Sequence, residues 1–125
     1  MNNNDFIRYL KNNLHNAGDG LIRRIGINLT EYRIILELSV ESPEGWINLE
    51  IIAENILEYT IRQNRNEDLQ VIFNMDIQII DDLYWFNLDC VDSNNDTNQI
   101  RTSNFYFVCK TFNVSFLPYR EKISE

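Results

Sequence analysis

The sequence predicts an α+β fold: one N-terminal helix with an antiparallel sheet of about six or seven strands, curled or in two layers. Three observations carry this reading. Apolar residues recur at helical spacing only near the N-terminus, where Phe6, Ile7, Leu10 and Leu14 share a face. From Leu21 onward the apolar period drops to two, the mark of half-buried antiparallel strands. The stretches between are turn formers: Gly18-Asp19-Gly20, Ser42-Pro43-Glu44-Gly45, Asp81-Asp82, and the polar run from Asp92 to Asn98.

The helix is expected over Asp5 to Asn16, with Asn3 or Asn4 as its cap and Gly18 just past its end. His15 then falls in the last turn, where a cation suits the helix dipole. Strands follow. Leu21, Arg23, Ile25, Ile27 and Leu29 alternate with Ile22, Arg24, Gly26 and Asn28, and Ile34, Leu36, Leu38 and Val40 alternate with Arg33, Ile35, Glu37 and Ser39. After the Pro-Gly turn, Ile47, Leu49 and Ile51 share one face. Ala53 to Arg62 reads either as a short helix or as a turn at Glu54-Asn55 followed by a strand; the second is favoured.

The clearest hairpin comes next. Val71, Phe73, Met75, Ile77 and Ile79 form one face of a long strand, Asp81-Asp82 turns the chain, and Leu83 to Val91 returns. On the return strand Tyr84, Phe86, Leu88 and Cys90 share a face, opposite Trp85, Asn87 and Asp89. Phe105, Phe107 and Cys109 alternate with Tyr106 and Val108, and Phe112, Val114 and Phe116 make a last strand before Pro118. The organisation is a single domain over 1–125: helix 1–16, sheet 20–118 and a frayed tail 119–125.

Composition narrows the function classes. The 125 residues carry 19 Asp and Glu against 11 Lys and Arg, a formal charge of -8. Such a balance argues against nucleic acid, whose phosphates demand clustered Lys and Arg; Arg23-Arg24 is the only adjacent basic pair. No apolar run reaches the roughly 20 residues of a membrane helix, and the N-terminus lacks the pattern of a secretion signal. A cytoplasmic protein with Cys90 and Cys109 reduced and buried is expected.

No enzyme is expected either. The one imidazole, His15, is on the helix, distant in sequence from both cysteines. Asp81-Asp82 would be solvated on its turn, with ordinary acidity near 4, poor for general acid–base work at neutral pH. Glu37 and Glu50 lie on adjacent strands, on the faces opposite the apolar ones; they either line a cleft or, as is far commoner, stand as exposed sheet-face carboxylates. Asp92-Ser93-Asn94-Asn95-Asp96 matches the start of a calcium-binding loop, but Thr97 stands where glycine belongs and Ser103 where the last glutamate belongs. Turn chemistry explains it better, and no cofactor or metal is expected.

What remains is binding. Trp85 lies on the more polar face of its strand, beside Asp89; either the helix or a second sheet covers that face, or Trp85 is an exposed interface anchor, as tryptophan is enriched in binding hot spots. The candidate partner-binding residues are therefore Asp81, Asp82, Trp85, Asp89, Asp92 and Asp96, on one hairpin and its following loop. They would attract a basic protein by electrostatic steering. The alternative is a non-catalytic adaptor whose charge only keeps it soluble, or, less favoured, a small-ligand carrier. A monomer is expected, or a weak homodimer through an edge strand.

From Gly20 to Pro118 the chain resembles small bacterial immunity proteins of polymorphic and contact-dependent toxin systems. The likeness is one of pattern: the D-G-L opening, Trp46 followed by I-N-L-E-I, the hairpin LQVIFNMDIQIIDDLYWFNLDC, then a polar loop and S-N-F-Y-F-V. The resemblance implies a cytoplasmic, non-enzymatic antidote that binds a cognate toxin domain, commonly a basic nuclease, and blocks it.

Overall fold

A computed structural model describes residues 1–62, 71–72, 74–90 and 92–120. Helix α1 spans Asn3–Asn13, so it begins and ends earlier than the apolar spacing suggests. The cap is Asn2 rather than Asn3 or Asn4: its side chain accepts a hydrogen bond from the Asp5 N–H at 2.8 Å. The helix stops because His15, Asn16 and Ala17 take positive φ angles of 50°, 56° and 57°, forming a short 3-10 turn. His15 therefore lies outside the α-helix and exposed, and the expected dipole role at a last helical turn is not realised.

Among the described residues six strands follow: β1 (Leu21–Asn28), β2 (Arg33–Ser42), β3 (Gly45–Ile61), β4 (Asp76–Ile80), β5 (Leu83–Asn87) and β6 (Phe105–Pro118). They form one antiparallel sheet in the order β1-β2-β3-β6-β5-β4, open between β1 and β4 rather than closed into a barrel. The α+β reading holds, with six strands in a single sheet.

Local differences have physical causes. β3 runs straight through the expected turn at Glu54-Asn55, because β6 pairs with it from Ile47↔Pro118 to Ile61↔Phe105. Asn55 alone adopts a positive φ, 56°, which asparagine tolerates. It marks the place where β2 pairing ends, and the next N–H, of Ile56, turns to the Tyr32 carbonyl at 2.9 Å. The two expected C-terminal strands merge into β6. The long strand expected from Val71 shortens to β4; Val71 makes an isolated bridge to Leu21, while Phe73 lies outside the described residues. The return strand ends at Asn87, and its expected end at Val91, like residues 121–125 of the expected frayed tail, lies outside the described residues.

Burial follows alternation. Ile34, Leu36, Leu38 and Val40 of β2 and Leu49, Ile51 and Ala53 of β3 face α1, whose Phe6 and Leu10 pack on them with Leu14. Each such side chain stabilises the fold by about 1.5–3 kcal/mol relative to staying wet. Phe86, Phe107 and Phe112 extend this core toward β5. The core is tied at its base by the chain itself. Asp19 and Ile72 exchange main-chain bonds with Ile72 and Gly20, at 2.9 and 2.8 Å. A Cβ at Gly20 would lie 2.8 Å from the Ala17 carbonyl oxygen and 2.9 Å from that of Ser39, so the crossing requires glycine. Among the described residues no helix is long and apolar enough to cross a membrane.

The face of the sheet turned away from α1 is different. It carries the buried polar residues Glu37, Ser39 and Asn48 at one side and a small second core at the other. That second core packs Trp85, Tyr106 and Val108 under Ile100 of the one-turn helix α2 (Thr97–Ile100).

Candidate functional site

The loop after β5 builds a polar recess. Asn87 ends β5, and its side-chain carbonyl accepts from the Asp89 N–H at 3.1 Å and the Ser103 hydroxyl at 2.7 Å. The Ser103 oxygen in turn accepts from the Phe105 N–H at 3.1 Å. Asn94 accepts from the Asp96 N–H at 2.7 Å, and Asp96 caps α2 by accepting from the Asn98 N–H at 3.0 Å. Asn, Asp and Ser thus satisfy the main chain of this loop with their own side chains, as turn formers do. The run Asp92 to Asp96 is therefore a turn that leads into a helix cap. Among the described residues no group of three or more His, Cys, Asp or Glu could hold a metal ion.

Between β5, α2 and Ser103-Asn104 this loop encloses a cavity of about 350 Å³ lined by Asn87, Asp89, Asp92, Asn94, Gln99 and Ser103 among others. Asp89 accepts from the Asn104 side-chain amide at 3.1 Å, and Asp92 is exposed at the rim. Asp76, at the start of β4, faces the same loop and accepts from Ser93, Gln78 and the Asn94 N–H at 3.1, 2.9 and 3.4 Å.

The buried thiol of Cys90 registers the charge gathered here. Burial first, and then the negative charges of Asp76, Asp92 and Asp89, push it up from 9.0 to about 11. Its Sγ approaches the Asp92 carbonyl oxygen at 2.9 Å. Cys109, in the main core, is pushed up to about 12 by burial. Both cysteines are free.

The six residues expected to bind a partner do not come together. Asp89, Asp92 and Asp96 gather at the loop end of β5. Asp81 and Asp82 occupy the turn at the other end, with φ of 52° and 64°, as a two-residue hairpin turn requires. The five residues of β5 set the two groups about 16 Å apart, at roughly 3.3 Å per residue.

Trp85 is a correction. It is 6% exposed, stacked on Tyr106 at 6.4 Å between ring centroids and covered by the Arg101 guanidinium at 5.0 Å. The reason is α2, which folds from the expected polar loop and brings Ile100 and Arg101 over the ring. An interface anchor must be exposed, and Trp85 is not. Arg101 is held there by Glu58 of β3, through bonds of 2.8 and 3.3 Å, and Tyr106 donates to the same carboxylate at 3.2 Å. These bonds, the Arg101 one first, hold the Glu58 carboxyl below its usual range against a smaller opposing effect of burial.

Asp76 has a site role that local pattern does not signal: nothing in the sequence indicates that Ser93 and Asn94, 17 and 18 residues later, fold back onto it. Glu37 was weighed as a cleft carboxylate beside Glu50. It is indeed opposite Glu50 in register, but 1% exposed and capped by Arg120 rather than open to a cleft. No protein-family model, curated protein or solved structure matches the chain.

Proposed function

We propose that this protein is an immunity protein. It binds a basic toxin domain through the acidic loop end of β5, where Asp89 and Asp92 line the recess while Asp76 and Asp96 hold the loop that forms it, and no catalytic step is part of its action. The observation that carries the reading is the gathering of Asp89 and Asp92 in the lining of one recess, with Asp76 bonded to Ser93 and Asn94 of the same loop. Carboxylates from the start of β4 and from the loop after β5 gather at one end of the sheet, on a chain of net charge -8. A concave site of one sign raises the local concentration of opposite charge and speeds encounter. The resemblance to immunity proteins supports the choice of a toxin domain as partner and of the cytoplasm as the site of the interaction.

The test is a binding titration against the product of the neighbouring upstream gene, at low and high salt. The wild type should bind tightly and lose affinity with salt. The Asp89→Lys/Asp92→Lys variant, checked as folded by circular dichroism, should associate about tenfold or more slowly. Wild-type association by this variant would reject the recess.

One observation favours a second reading, small-ligand carriage. A hollow of about 370 Å³ opens at the far ends of β1 and β2, lined by Ile27, Leu29, Tyr32, Ile56, Leu57 and Tyr59 among others. Its size and lining suit a small apolar molecule. Native mass spectrometry of the protein as purified checks it: a bound apolar compound supports carriage, and bare protein opposes it.

A further inference from the structure

On the sheet face away from α1, β2 and β3 hold a polar cluster that the acidic recess does not use. Glu37 is 1% exposed, Ser39 and Asn48 are 0%. A carboxylate in such a place is costly unless paired. The pairing is worsened within the sheet, where Glu50 stands directly opposite Glu37 across β3.

The chain resolves this with its own later segment. After Pro118 it crosses this face, and Arg120 donates to Glu37 Oε1 from Nη2 at 2.7 Å and from Nε at 3.1 Å. Asn48 reads the main chain of the same residue. Its Nδ2 donates to the Arg120 carbonyl at 3.3 Å, and its Oδ1 accepts from the Arg120 N–H at 3.5 Å. Ser39 orients the carboxamide by donating to that Oδ1 at 2.8 Å, and Arg23 orients Ser39 at 2.9 Å. The preceding residue is read too. The Tyr119 ring lies 6.1 Å from Trp46, and its hydroxyl accepts from Arg23 at 3.4 Å. The register shift in β1 between Ile22 and Arg24 inserts Arg23 as the extra residue, which places it over Ser39.

A side-chain amide bonded to both the N–H and the C=O of one residue, with a buried carboxylate on that residue's guanidinium, is how a protein surface reads an extended peptide. We propose that this face is a docking site for an extended aromatic–arginine segment of a protein partner, occupied in the free protein by Tyr119-Arg120. The incoming arginine takes the Glu37 position and the Tyr119-Arg120 segment swings away. Charge decides the occupant: Glu37 and Glu50 lie side by side, and the guanidinium of Arg120 pairs with Glu37. The identity of the partner as a basic protein rests on the immunity reading; the receptor itself does not.

The test uses the full chain with Arg120→Ala and the dipeptide N-acetyl-Tyr-Arg-amide, followed by amide NMR with the Asn48 side-chain signals as reporter. Saturable binding to Arg120→Ala is expected, with the Tyr-Lys analogue weaker and with Arg120→Ala/Glu37→Gln weaker by about tenfold or more, the scale of a lost charge-assisted pair. A folded Arg120→Ala protein that shows no saturable shift, or that binds equally well with Glu37→Gln, overturns the site.

Should Arg120→Ala not fold, the wild type serves. Excess dipeptide must displace Tyr119 and shift the Trp46 indole signal, and an unmoved signal overturns the proposal. None of these arms involves a toxin or the Asp89/Asp92 recess. A positive result here with no salt-sensitive toxin binding would thus reject the recess alone, and the reverse would reject the docking site alone.

Discussion

Replacing Phe112 by alanine tests the least expected feature of the sheet. Along β6, Phe105, Phe107 and Cys109 face α1, and so does Phe112, three residues after Cys109. Unbroken alternation from Cys109 would point residues 111 and 113 into the core and turn Phe112 out. The structure instead buries Phe112 to 1% exposure with rings on three sides: Tyr84 and Phe86 at 5.0 Å and Phe6 at 6.1 Å, all edge-on. Removing a ring from such a place costs about 3–5 kcal/mol, of which each edge contact accounts for about 0.5–1.5 kcal/mol. A domain of this length has about 6–19 kcal/mol in total. Urea unfolding should show a large drop in midpoint with the slope preserved. Asn113→Ala, exposed on the neighbouring position, should stay within about 0.5 kcal/mol. A Phe112→Ala cost under about 1 kcal/mol, or one no larger than that of Asn113→Ala, would refute the placement.

Three further predictions concern protonation. Cys90 and Cys109, pushed up to about 11 and about 12 from 9.0, stay thiols in the folded protein at pH values where the unfolded chain ionises them. Their contribution to stability is complete below pH 9 and is lost as pH rises through the folded values. The fall in urea midpoint above pH 9 should flatten in Cys90→Ala/Cys109→Ala. In a Cys109→Ala background, exchanging Asp76, Asp89 and Asp92 for asparagine should lower the pH midpoint of Cys90 alkylation yet leave it above 9, since burial is the larger cause; an unmoved midpoint would count against a concentrated field. Glu58 works in the opposite direction: its carboxyl is held below 4.5, mainly by Arg101. Its stabilisation is present above pH 4.5 and is lost as pH falls through the folded value, so Glu58→Gln should show a shallower acid decline in urea midpoint between pH 7 and 3 than the wild type.

Periodicity made the strands legible because each one half-buries a regular face. Ile34 to Val40 and Leu83 to Asn87 needed nothing more than alternation. Position along the chain was harder where pairing, not pattern, sets the boundary. β3 passes through Asn55 because β6 is there to pair with it, and α1 ends early because three residues after Leu14 take positive φ. Neither fact is written in local spacing. The candidate site divides in the same way. Asp89, Asp92 and Asp96 were found by charge and by loop chemistry, which are local. Trp85 was misplaced because its cover, Ile100 and Arg101, comes from a segment whose composition reads as loop and whose single turn of helix depends on the Asp96 cap. Asp76, Glu58 and Arg120 required contacts across 15 or more residues of chain, as the register and ion pairs now show.

Those long-range contacts share a location. Glu37, Ser39 and Asn48 alternate with Leu36, Leu38 and Leu49, which face α1, so they lie on the opposite face, and so does the Trp85–Tyr106–Val108 cluster beside the acidic recess. The helix side of the sheet is filled with apolar side chains and has the work of folding. The other side concentrates buried polarity: a carboxylate under Arg120, a carboxamide on a neighbouring main chain, and a rim of aspartates around a cavity. Apolar residues of similar volume at Glu37, Ser39 and Asn48 would serve stability as well or better, because desolvating a buried ion pair offsets most of its attraction. Glu37→Met combined with Asn48→Leu and Arg120→Leu should therefore retain the fold, with unfolding stability equal to the wild type or higher, while abolishing response to the Tyr-Arg dipeptide. Loss of stability by more than about 3 kcal/mol, the cost of breaking a buried pair rather than replacing it, would assign the cluster to the fold and remove this face from recognition.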